Sequence, residues 1–90
     1  MSLNYRLDSP PILIDFLSYH ETIKAHSQRT VDEYYLDLRN FFRYLKQIRD
    51  PSLRDKKLDE ISIKDIGLTF MASITLTDIY GYMTYLSRER

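Results

Sequence analysis

Apolar positions are densest and most regular across residues 27–49, SQRTVDEYYLDLRNFFRYLKQIR. Val31, Tyr34, Tyr35, Leu38, Phe41, Phe42, Leu45 and Ile48 return every three or four positions, the period of an amphipathic helix with one face committed to a core. The pattern predicts a long central helix. In T-V-D-E, Thr30 stands as N-cap with Glu33 three residues on, a capping box that starts the helix near Thr30. Asp50-Pro51-Ser52 ends it, because proline lacks an amide and disfavours helical geometry in the residue before it. Arg39, Arg43 and Lys46 project onto a flank outside the apolar stripe, which reads as cationic.

The neighbouring stretches repeat the helical period. Ser9-Pro10-Pro11 is a helix start, since proline loses nothing in a first turn and serine can cap it. The helix it opens is expected over residues 10–24, with Leu13, Phe16, Leu17 and His20 on its face and Ile12, Tyr19 and Ile23 alongside. A link over 25–29 is short enough for adjacent antiparallel helices. Residues 53–60, LRDKKLDE, read as a solvated connection with a short turn. Residues 61–66 are expected to form one or two helical turns ending at Gly67, and 68–73 a second short segment. Thr75 and Asp78 repeat the capping logic. The last helix then runs through 76–90 on Leu76, Ile79, Tyr80, Met83 and Leu86, with Tyr82 and Tyr85 beside them. Its run to the chain end without a stop signal suggests a piece of a longer protein.

No strand pattern or repeat interrupts this order, so the chain reads as all-α: a small helical bundle of three long helices plus one or two short helical turns. Residues 1–8 read as a disordered or tag-like N-terminus and 9–90 as one helical domain; at 90 residues a second domain does not fit.

Composition changes the picture in three places. Thirteen basic and thirteen acidic residues cancel, so no global field points to a polyanion, yet residues 20–57 carry nine Lys/Arg against six Asp/Glu and form the basic part. The chain has no cysteine, which excludes a disulfide framework and fits a cytoplasmic location. No apolar run approaches the roughly 20 residues of a membrane span, so no membrane partner is expected.

Three stretches together resemble the N-terminal core-binding domain of the tyrosine recombinases, the phage integrase and Xer-type family. They are Phe16, Leu17 and Tyr19 as F-L-x-Y, the run SQRTVDEYYLDLRNFFRYL over 27–45, and LTDIYGYMTYLSRER over 76–90. The resemblance covers residues 12–90. It implies a SAM-like helical domain forming half of a C-shaped clamp round duplex DNA, with other recombinase protomers as further partners in the full-length protein. It also implies a separate catalytic domain, whose arginines, histidine and tyrosine nucleophile match nothing here, so this stretch is expected to be no enzyme by itself. The family's domain usually carries one more helix after the position of Y-L-S-R-E-R. Residues 53–73 are longer than the family's minimal connection.

The DNA-contacting candidates are Lys24, His26, Ser27, Gln28, Arg29 and Thr30 around the first turn of the central helix, and Arg39, Arg43 and Lys46 along its flank. Hydroxyls, an arginine and helix N-terminal amides are the groups that grip a phosphate backbone. The plainer reading is a capped turn followed by a solvated helix face. His20, on an apolar face, reads as a core or boundary histidine. Two histidines without cysteine give no metal-ligand spacing, so no metal, cofactor or small-molecule substrate is expected. The eight tyrosines sit without an activating base, as a nucleophile needs. Near-zero net charge, Tyr44 outside the stripe and an amphipathic last helix keep a second reading open: a helical protein-protein interaction domain with no DNA role.

Overall fold

The computed structural model describes residues 5–89. It is all-α: α1 (Pro11–Thr22), α2 (Gln28–Arg49), the short α3 (Leu68–Ala72) and α4 (Leu76–Glu89), with 3-10 turns at Tyr5–Leu7, Pro51–Leu53 and Leu58–Glu60. Three long helices and short helical turns are the expected architecture. At the N-terminus the expectation changes. Residues 1–4 lie outside the described residues, but Tyr5–Leu7 form a turn and Asp8 Oδ1 accepts a 2.6 Å hydrogen bond from Tyr35 Oη, so residues 5–8 are built into the fold.

α2 is the pillar. Leu13 and Leu17 of α1 join Val31, Tyr35 and Phe42 of α2 and Ile63 and Ile66 of the connection in one buried cluster. Full burial of such side chains contributes about 1.5–3 kcal/mol each. Ile48, expected on the core stripe, is 54% exposed. α1 starts with Pro10 as N-cap and no capping side chain, where Ser9 was expected to cap.

Residues 61–66 are extended with a turn, not helical. Ile61 and Ile63 are buried while Ser62 between them is exposed, the two-residue alternation of an extended chain. A turn then closes through the Ile66 amide, which donates to the Ile63 carbonyl at 3.2 Å, and buries Ile66. Helix is not needed to satisfy the backbone, because α2 supplies donors. Arg43 Nε donates to the Ile61 carbonyl at 3.1 Å and Lys46 Nζ to the Ser62 carbonyl at 2.9 Å.

α4 begins at the expected reciprocal cap. The Thr75 amide donates to Asp78 Oδ2 at 2.9 Å and the Asp78 amide to Thr75 Oγ1 at 3.2 Å. Its inward face is only partly the expected one: Leu86 is half-buried, but Leu76, Ile79, Tyr80 and Met83 are exposed. The helix packs on α2 through Tyr82 and Tyr85, whose ring centroids lie 5.2 and 5.0 Å from that of Tyr44. Tyr82 also meets Phe41 at 5.1 Å. Tyr44, outside the predicted stripe, is therefore an interhelical contact. Gly81 permits it, since a Cβ there would sit 3.2 Å from the Tyr44 hydroxyl.

Candidate nucleic-acid interface

The chain between α1 and α2 closes with Ala25 at φ 53°, a conformation that costs an L residue about 1–2 kcal/mol. The His26 amide donates to the His20 carbonyl at 3.0 Å. The two imidazoles stack, centroids 5.3 Å apart, and the half-buried His20 ring also meets Phe16 and Tyr34. His20 thus occupies the boundary expected of it.

Ser27, not Thr30, is the N-cap of α2: its Oγ accepts from the Thr30 amide at 3.2 Å. The helix starts at Gln28, earlier than the Thr30 cap predicts, because Ser27 stands three positions before Thr30 just as Thr30 stands three before Glu33, and the outer cap gains more helix. Thr30 Oγ1 lies 3.0 Å from Ser27 Oγ. Ser27 also accepts the Val31 amide through its carbonyl at 3.1 Å. The Gln28 and Arg29 amides belong to the helix's positive end, where anions are stabilised.

Lys24, His26, Ser27, Gln28 and Arg29 are all exposed around this turn, and Thr30 is half-buried. Arg29 Nε lies 3.3 Å from Glu33 Oε1, with side chains 89% and 61% exposed. Gln28 Nε2 donates to Asp32 Oδ1 at 2.9 Å. Exposed pairs of this kind contribute about 0–1 kcal/mol. Both turn residues can therefore leave their carboxylates for a stronger anion.

The expected flank of Arg39, Arg43 and Lys46 is different. Arg43 is buried at 8% exposure; besides its bond to Ile61 it pairs with Asp8 Oδ2 at 3.7 Å. Its pKa is lowered by burial first and by neighbouring Arg39 next, though guanidinium stays charged at any ordinary pH. Arg39 Nη1 donates to Tyr35 Oη at 3.2 Å, with its guanidinium carbon 5.1 Å from that ring. Burial, then the bond to Asp8, raises the Tyr35 pKa and keeps the hydroxyl a donor. Lys46 Nζ is engaged by Ser62 and Asp65, and its hydrogen bond lowers the Asp65 pKa. Arg43 and Lys46 thus fasten residues 61–65 to α2, while the bond of Arg39 stays within α2. Spacing located the flank and could not reveal that residues 61–66 lie against it.

Among the described residues no group of three or more His, Cys, Asp or Glu is placed to hold a metal ion, and no helix is long and apolar enough to cross a membrane.

A helical domain built on a capped central helix, with an exposed polar turn at its start, is the class the geometry defines. The chain is similar to tyrosine recombinase XerC of Caldanaerobacter subterraneus subsp. tengcongensis, with 40% identity over 90 residues. It spans 26% of that protein's length. No family profile matches the chain, and no solved structure matches it.

Proposed function

We propose that the chain is the SAM-like, non-catalytic DNA-binding module of a site-specific tyrosine recombinase, acting in the cytoplasm. It holds duplex DNA by its phosphate backbone while a separate catalytic domain and other protomers carry out strand exchange. The observation that carries this reading is the 40% identity along all 90 residues to a tyrosine recombinase. The exposed turn of Lys24, His26, Ser27, Gln28 and Arg29 supports it as the contact, with Thr30 holding the turn in shape. Arg39, Arg43 and Lys46 act behind it, as the fastening of the fold that presents the turn.

Phosphate contacts of this kind release counterions, so affinity falls linearly with salt on logarithmic axes. Fluorescence anisotropy with a labelled duplex tests the reading: weak binding that tightens as salt is lowered is expected, and binding indifferent to salt overturns it. One observation favours a second reading, a helical protein-protein interaction domain: Leu76, Ile79, Tyr80 and Met83 stand exposed on α4. Light scattering beside the DNA titration separates the two, because an interaction domain associates with protein and ignores DNA.

A further inference from the structure

One guanidinium gathers three elements at the far end of α2. Arg49 Nη1 donates to Ser73 Oγ at 2.7 Å, and Nη2 to Asp78 Oδ2 at 3.0 Å and the Ser73 carbonyl at 3.3 Å. Its central carbon stands 4.9 Å from the centroid of the Phe70 ring. Arg49 is the last residue of α2, Ser73 caps α3, and Asp78 lies in the first turn of α4. Ser73 Oγ passes the connection on to the Phe70 carbonyl at 2.6 Å, and Asp78 Oδ2 also holds the Thr75 amide.

The two sides of this junction differ in how they are anchored. Phe70, Met71 and Ile74 pack against the buried core, so α3 is fixed by apolar contact. On α4, Leu76, Ile79, Tyr80 and Met83 are between 39% and 61% exposed, so the helix draws little hydrophobic hold from its apolar stripe. What remains is half-buried Leu86, the contacts of Tyr82 and Tyr85 with Phe41 and Tyr44, and the Arg49 junction.

We infer that Arg49 is a latch that sets the angle of α4 against α2, and that releasing it lets α4 swing about residues 73–75 while the α1–α2 core stays folded. Arginine suits the task, since its rigid fork meets several acceptors at once and its plane stacks on an aromatic ring, whereas lysine offers one point charge. The lever is long: at about 1.5 Å per residue α4 extends about 20 Å, so a turn of about 20° at the latch moves its far end by about 7 Å. The latch stands whether or not the chain binds DNA.

The chain has no cysteine, so spin labels on introduced pairs report unique distances. Thr22→Cys with Ser87→Cys spans α1 to α4, and Thr22→Cys with Arg54→Cys spans the core as a control; all three positions are exposed. Double electron-electron resonance on the 22/87 pair is expected to show a narrow distribution that shifts or broadens by several ångström in Arg49→Ala, with the 22/54 distribution unchanged. Arg49→Lys and Ser73→Ala, which keep most of the junction's bulk, are expected to broaden the 22/87 pair to a lesser degree. They decide the matter should Arg49→Ala disturb the core. A 22/87 distribution that superimposes on the wild type in Arg49→Lys and Ser73→Ala, or a 22/54 pair that broadens equally with it, overturns the latch.

Discussion

Replacing Arg43 with methionine separates a fastening role from a solvated one. Methionine keeps much of the stem packing and removes the guanidinium. The Nε bond to the buried Ile61 carbonyl is charge-assisted, a class that contributes about 1.5–3 kcal/mol. The 3.7 Å pairing with a partly exposed Asp8 adds at most about 1 kcal/mol. Relief from burying a charge offsets part of this. The net expectation is a loss of about 2 kcal/mol, from a stability of about 5–13 kcal/mol for a chain of this length. That corresponds to a fall in Tm of about 8–16 °C. Urea unfolding followed by circular dichroism at 222 nm measures it, with the m-value expected to stay constant. A change within about 0.5 kcal/mol, the range of an ordinary surface substitution, refutes the buried assignment and returns Arg43 to the surface flank.

Three further outcomes follow from the same geometry. Ser27→Ala is expected to cost about 0.5–2 kcal/mol, as for any lost N-cap, and Thr30→Ala less; the reverse order by urea titration returns the cap to Thr30. Gly81→Ala gains helix propensity of about 1 kcal/mol but crowds the Tyr44 hydroxyl, so the gain is expected to be larger in a Tyr44→Phe background than in the wild type. Equal gains in a double-mutant cycle exclude the close approach. Asp65 and Asp78 have pKa values lowered chiefly by hydrogen bonds, from Lys46 and from the Thr75 amide respectively. A folded value below the unfolded one stabilises above the unfolded pKa and is lost as pH falls through the folded one. Stability is therefore expected to drop below about pH 4, and Asp65→Asn to flatten that drop; an unchanged acid profile in this variant rules the contribution out.

Local rules carried the helices and failed where distant chain decides. The period of α2, the stop at Asp50-Pro51 and the Thr75/Asp78 cap are short-range features, and each is present in the structure. Residues 61–66 were expected to be helical because three isoleucines among polar residues suit a short helical turn as well as an extended run. Only the donors Arg43 and Lys46, 16 to 18 residues earlier, select the extended form. Spacing places those same donors on a cationic flank but does not reveal the segment that lies against them, since it fixes a face of a helix and not what covers it. The inward side of α4 departs from the hydrophobic stripe for a related reason, with Leu86 alone of that stripe half-buried. Hydrophobicity favours Leu76, Ile79 and Met83, but Gly81 opens close approach on the side of Tyr82 and Tyr85, and the α2 surface there is aromatic. At the candidate site the exposed turn was legible, because caps and turn residues announce themselves locally. The part played by Asp8, which lies 27 positions from Tyr35, was not.

In the proposed function the turn beginning α2 meets phosphate while Arg43 and Lys46 behind it hold the fold. The direct measurement is the salt dependence of duplex binding by the wild type, Arg29→Ala and Arg43→Met under conditions where all are folded. Arg29→Ala is expected to weaken binding to every sequence alike and to reduce the salt slope by about 1, as loss of one phosphate contact does. Arg43→Met is expected to leave the slope unchanged. An Arg29→Ala protein with wild-type affinity and slope, or a slope lost with Arg43 instead, contradicts the claim.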